Sequence, residues 1–123
     1  MAPPRVRLRQ VAGASTYEIA RGDGGAVIGE VECRADDPAA GWLTIGPIAV
    51  GEGQRGWGYG SEAVRLLEAA GKAERFLARV DAGDGLGLYF WLRLGYRRAR
   101  PGEVPGRRPR GMITMVRRPE PRT

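Results

Sequence analysis

Apolar positions along the chain recur with two different periods. Residues 5–11, RVRLRQV, alternate, with Val6, Leu8 and Gln10 opposed to Arg5, Arg7 and Arg9, which predicts a strand with one face covered. A second run, Tyr17 to Arg21, and a third, Ala26 to Arg34, flank the turn Gly22-Asp23-Gly24-Gly25 and read as a hairpin. Along the third run Val27, Gly29, Val31 and Cys33 share one face, while Ile28, Glu30 and Glu32 share the other. After the polar loop Ala35 to Gly41, the stretch Trp42 to Val50 is almost continuously apolar, which predicts a strand covered on both faces. The period then changes. Ala63, Leu66, Leu67 and Ala70 fall at helical spacing opposite Glu62, Arg65 and Glu68, with Gly71 as the cap. Arg75 to Val80 reads as a short strand. Leu86 to Leu94, LGLYFWLRL, is apolar on nearly every side and predicts a short buried helix ended by Gly95. Tyr96 to Arg100 and Met112 to Arg117 form a terminal hairpin around the loop Pro101 to Arg110, whose Arg107, Arg108 and Arg110 read as solvated.

Composition narrows the classes available. The chain has 123 residues, enough for one core, so a single domain over residues 1–123 is expected. No run is long enough to span a membrane, and MAPPRVRLRQ has no apolar core for a signal peptide, so a soluble, cytoplasmic protein is expected. Cys33 is the only cysteine and cannot form an internal disulfide, and it is most simply a small core side chain. Histidine is absent, which argues against a catalytic metal and removes the commonest general base. The net charge of +6 comes almost wholly from arginine, Lys72 being the only lysine. Such a surface attracts anions, either nucleic acid or the phosphates of a small molecule. No aromatic-interleaved basic stripe accompanies it, which places nucleic acid last among the readings.

The densest chemistry lies in residues 42–71, where the apolar strand enters Arg55-Gly56-Trp57-Gly58-Tyr59-Gly60 and leaves as the amphipathic helix. Alternating glycines bare the backbone where something must approach it closely, and the first turn of a helix presents free N–H groups to an anion. No lysine follows the glycines, so this is not a Walker A loop, and their spacing is not G-x-G-x-x-G. The stretch resembles the acyl-CoA motif of the GNAT acetyltransferase superfamily, R/Q-x-x-G-x-G/A, matched by Arg55, Gly58 and Gly60. Leu94-Gly95-Tyr96 resembles the second signature of that superfamily, in which an aromatic-rich helix closes with L-G-F/Y.

The resemblance implies an α+β fold, with a mixed, mostly antiparallel sheet of about seven strands, two helices and a splayed central strand pair. Pro47 would then mark the parting of strands; the alternative is that it marks a sheet edge. The resemblance also implies acetyl-CoA as cosubstrate and an amine of unknown identity as acceptor. Backbone N–H groups of Ile48, Ala49 and Val50 would hold pantetheine, and the turn Arg55, Gly56, Trp57, Gly58, Tyr59, Gly60 and Ser61 would hold pyrophosphate. Asp84 would be either a cofactor contact or a helix N-cap, and Trp91 would flank the thiol. Where relatives carry a glutamate base this chain has Thr44, and where they carry a tyrosine acid it has Trp91; neither side chain can do that work. Glu30, Glu32 and Tyr89 are the remaining catalytic candidates. Relatives also carry two helices between the first and second strands that wall the acceptor site, and here only Ala12 to Thr16 is available. The acceptor side would then be open or completed in a homodimer. An N-acetyltransferase is the leading reading, a non-catalytic acyl-CoA-binding module the second, and a basic nucleic-acid-associated protein the third.

Overall fold

The alternation around Val6 and the hairpin that follows form as expected. The computed structural model describes residues 5–22 and 25–118. In it β1 (Val6–Gln10), β2 (Thr16–Arg21) and β3 (Val27–Ala35) pair antiparallel in sequence order. Asp23 and Gly24 of the expected turn lie outside the described residues. Next come β4 (Trp42–Val50), a single 3₁₀ turn at Glu52–Gln54, α1 (Tyr59–Ala70), β5 (Arg75–Asp81), α2 (Gly85–Arg93), β6 (Arg97–Arg98) and β7 (Met112–Arg117). The seven strands form one mixed, mostly antiparallel sheet in the order β1-β2-β3-β4-β5-β7-β6. Between β1 and β2 there is only a tight connection, closed by Val11 N–H to Thr16 O at 2.9 Å, and no helix.

The described chain gathers into two compact units. One comprises the chain up to Cys33 with Gly46–Gly71, and the other Arg34–Ile45 with the chain from Lys72 onward. The first unit buries Val6, Ile19, Val31 and Val64 completely. In the second, Trp42, Leu77 and Val116 form a buried cluster onto which Ala39, Ala99 and Val104 pack.

The unit boundary falls inside β4. The parallel register with β5 runs from Trp42↔Arg75 to Ile45↔Ala78 and stops there, although β4 continues to Val50 and β5 to Asp81. Pro47 therefore stands just beyond the last pair, where its missing N–H takes nothing from the β4–β5 ladder. The same parting corrects the expectation that β4 is covered on both faces throughout. Trp42, Leu43 and Ile45 are buried, whereas Pro47 and Ala49, beyond the ladder, are exposed.

Three further expectations are revised by packing. In β3, Ile19 pairs with Gly29 but Ala20 pairs with Val27, so Ile28 is an extra residue forming a β-bulge. The bulge re-aims the strand start, leaving Val27 half exposed and burying Ile28, so strict alternation fails there. In α1 the buried face is Ala63, Val64 and Leu67, not one that reaches Ala70, because the last turn projects beyond the core. In α2 only Trp91 is buried, and Leu86, Tyr89 and Leu92 are exposed. A nine-residue helix lying on β5 can cover only one of its sides, whatever its composition.

Candidate functional site

The glycine-dense turn is built by two left-handed residues. Gly56 has φ +84° and Gly58 φ +81°, a region that costs an L side chain about 1–2 kcal/mol. Gly58 is the N-cap of α1 and offers no side chain to its first turn. Intrahelical bonding begins with Glu62 N–H to Gly58 O at 3.1 Å, so the N–H groups of Tyr59, Gly60 and Ser61 have no helical acceptor. Together with the positive end of the helix dipole they form an anion cradle. Upstream, Gln54 N–H donates to Gly51 O at 2.8 Å, and the Arg55 side chain folds back so that Nε donates to Val50 O at 3.1 Å. Trp57 projects from this turn at 64% exposure.

Sequence patterning missed a second guanidinium here. Arg5 lies against the first turn of α1, with its guanidinium 5.0 Å from the centre of the Tyr59 ring and Nε 3.3 Å from Glu62 Oε1. Alternation marks Arg5 only as solvent-facing; a contact between residues 57 positions apart has no local signature.

The candidate acids separate. Glu30 and Glu32 are both exposed on β3. A Cβ placed on Gly46 would lie 3.1 Å from Glu32 Cβ and 3.2 Å from Oε2, so Glu32 lies over the β4 backbone just past the last β4–β5 pair. The backbone of Ile48, Ala49 and Val50 follows directly, with Ala49 exposed. Thr44 is committed elsewhere, its hydroxyl donating to Asp37 O at 2.7 Å.

In the other unit, Asp84 is the N-cap of α2, its carboxylate accepting from Gly87 N–H at 2.8 Å. Trp91 is buried, edge-on to Phe90 at 5.2 Å and to Tyr96 at 4.8 Å, so its indole is engaged in packing. Tyr89 is exposed and carries the Arg93 guanidinium 5.7 Å from its ring centre.

Cys33 has no role in this arrangement. Burial pushes its thiol up to about 11, which removes the thiolate at neutral pH. Alkylation by iodoacetamide at pH 8 is expected to run roughly a hundredfold slower than on an unperturbed thiol, and to keep accelerating up to about pH 11. A rate that levels off near pH 9 would contradict this.

Residues 4–96 match the model of the acetyltransferase (GNAT) family, and the chain belongs to that family. No curated protein matches the sequence. Its fold is similar to that of an acetyltransferase from Thermus thermophilus, with 20% identity, TM-score 0.69, and coverage of 94% of this chain and 65% of that one. It is similar also to a GNAT family acetyltransferase from Elizabethkingia anophelis solved with acetyl-CoA bound, with 16% identity, TM-score 0.67, and coverage of 94% and 99%. A third similar structure is an Arabidopsis thaliana protein in complex with the bisubstrate analogue CoA-Ac-MVNAL, with 19% identity, TM-score 0.61, and coverage of 86% and 74%. The chain thus spans about two thirds of the Thermus structure and nearly all of the Elizabethkingia one.

Proposed function

We propose that the protein binds acetyl-CoA and transfers its acetyl group to an amine. The observation that carries the reading is the turn Arg55–Ser61, in which two left-handed glycines lead into a helix whose first N–H groups have no side-chain cap. This donor set fits a diphosphate: three N–H groups, the dipole and the Arg55 cation favour negative charge, while Arg5 offsets the Glu62 carboxylate in the same first turn. Acetyl-CoA, when bound, supplies the acetyl group as an activated thioester. The turn binds its phosphates, and the β4 backbone at Ile48–Val50 orients the pantetheine arm and offers N–H groups to the thioester oxygen. Glu32 takes the proton that the amine must lose, directly or through water, as the C–N bond to the acetyl carbon forms and its C–S bond breaks, and the departing CoA thiolate takes a proton from solvent. Holding the reactants together supplies much of the remaining acceleration.

Two observations favour a second reading, a non-catalytic acyl-CoA-binding module. The Thr44 hydroxyl is occupied by Asp37 O and the Trp91 indole is buried, so neither position offers an acid or a base. Calorimetry with acetyl-CoA, desulfo-CoA and ATP tests the binding, and thiol release with a panel of amines tests transfer. Thiol release only when an amine is present establishes the transferase, binding without release across a broad panel favours the module, and no binding of acetyl-CoA overturns both. For the enzyme, Glu32→Gln is expected to lower kcat by about a hundredfold or more while leaving acetyl-CoA affinity intact. Glu30→Gln, on an exposed position two residues before Glu32, is expected to change kcat by less than about threefold.

A further inference from the structure

The segment joining β6 to β7 folds back over one face of the sheet in the second unit. Val104 and Ala99 pack there on Trp42, Leu77 and Val116. Next to Leu77 and Val116 on that face stand Arg79 and Thr114, which are paired directly across β5 and β7. Beside this pair the segment borders a cavity of about 120 Å³, partly open to solvent, whose lining includes Arg79, Arg100, Arg107, Arg108 and Thr114. A smaller cavity of about 40 Å³ shares Arg108 and Thr114 with it and adds Arg98.

The charge arrangement here is unusual. Among the described residues, four that bear guanidinium groups line the larger cavity and no carboxylate does. The acid nearest in the segment, Glu103, is taken: it accepts from the Arg100 backbone N–H at 2.9 Å and from the Arg118 guanidinium. That ion pair holds the Glu103 carboxyl below its ordinary range, and it anchors the segment without neutralising the cavity. Arg79 lines the cavity as a half-buried residue whose Nε is itself buried with no hydrogen-bond partner. A buried donor without an acceptor, beside like charges that repel, is stable only at a cost that a bound anion would remove.

We propose that this cavity is a binding site for a compact oxyanion, a phosphate group, held by Arg79 and Thr114 from the sheet and by Arg107 and Arg108 from the β6–β7 segment. Arginine suits it because the planar fork donates two parallel bonds to tetrahedral oxygens. The size suits it as well: a cavity of about 120 Å³ that opens to solvent admits a phosphate group and leaves a way out for the rest of an ester. None of its lining residues belongs to the turn at Arg55–Ser61.

Calorimetry on the full chain at constant ionic strength, with inorganic phosphate and with glycerol 2-phosphate as ligands, tests the site. Saturable binding is expected, tighter for phosphate if the free ion is the ligand and tighter for the ester if the group belongs to a larger molecule. The loop variant Arg107→Gln/Arg108→Gln and the variant Arg79→Met are each expected to weaken it by about tenfold or more. Ser61→Asp, which alters the α1 turn, is expected to leave it unchanged. Without phosphate, Arg79→Met is expected to melt at the wild-type temperature or higher, since it removes a buried unpaired donor. Absence of saturable binding at millimolar phosphate, or affinity within twofold of wild type in both arginine variants, would overturn the proposal.

Discussion

Gly29→Ala is expected to destabilise the protein by about 3 kcal/mol or more, a large share of the 5–15 kcal/mol typical of a domain. A Cβ at this position would lie 2.2 Å from Ala49 O, 3.1 Å from Val50 Cα and 3.2 Å from Ala49 C. All three atoms are backbone, so no side chain can swing aside; β4 itself must move. The approach occurs next to the bulge at Ile28, whose carbonyl accepts from Gly51 N–H at 2.7 Å and ties β3 to the start of the glycine-dense turn. A urea titration reads the effect as a lower midpoint. Gly53→Ala serves as the control, because that position has open space and no positive φ, and its midpoint is expected to match wild type. Coincident midpoints for Gly29→Ala and wild type would show that the two backbones are not held so closely.

Ser61→Asp is expected to weaken acetyl-CoA binding by about ten- to a hundredfold, equivalent to roughly 1.4–2.7 kcal/mol. The new carboxylate would stand in the first turn of α1, where the N–H groups of Tyr59 and Gly60 are left for a ligand. It would satisfy the dipole that the phosphates otherwise satisfy, and repel them by charge. The same change should raise stability by about 0.3–1 kcal/mol, since an acid at a helix N-terminus is favourable. Opposite signs for affinity and stability separate this from general damage to the fold. Calorimetry and thermal melting on one preparation measure both, and unchanged affinity for acetyl-CoA would move the phosphates away from this turn.

How far the site was legible depended on whether its parts are close in sequence. Arg55, Gly56 and Gly58 are consecutive or nearly so, and a strand, a left-handed turn and a helix each leave a local pattern. The order of the strands and helices was therefore readable from periods of two and 3.6 and from the glycines that end each run. Asp84 was readable as one of two things, and the bond from Gly87 N–H shows its capping role. Glu30 and Glu32 looked equivalent, since both lie on the same strand face by alternation. The tertiary structure sets Glu32 over Gly46 of another strand, a contact that alternation along β3 does not reveal.

Burial was the least legible property. The apolar run of α2 looked enclosed, yet Leu86 is 85% exposed, because composition states what a helix can bury and not how many neighbours it meets. Arg107 and Arg108 read as a solvated loop, and both are exposed, but the fold sets them around Arg79 from a strand some thirty positions earlier. By itself the sequence determined the local conformations: which stretches extend, which coil, where glycine admits a positive φ, and so the uncapped start of α1. The tertiary structure alone decided the pairings across distance, namely Arg5 on α1, Glu32 over Gly46, the end of the β4–β5 ladder at Ile45 and the arginine-lined cavity. The physical reason is that backbone preference acts over a few residues, whereas charge and packing act through space between residues whose separation along the chain carries no periodic mark.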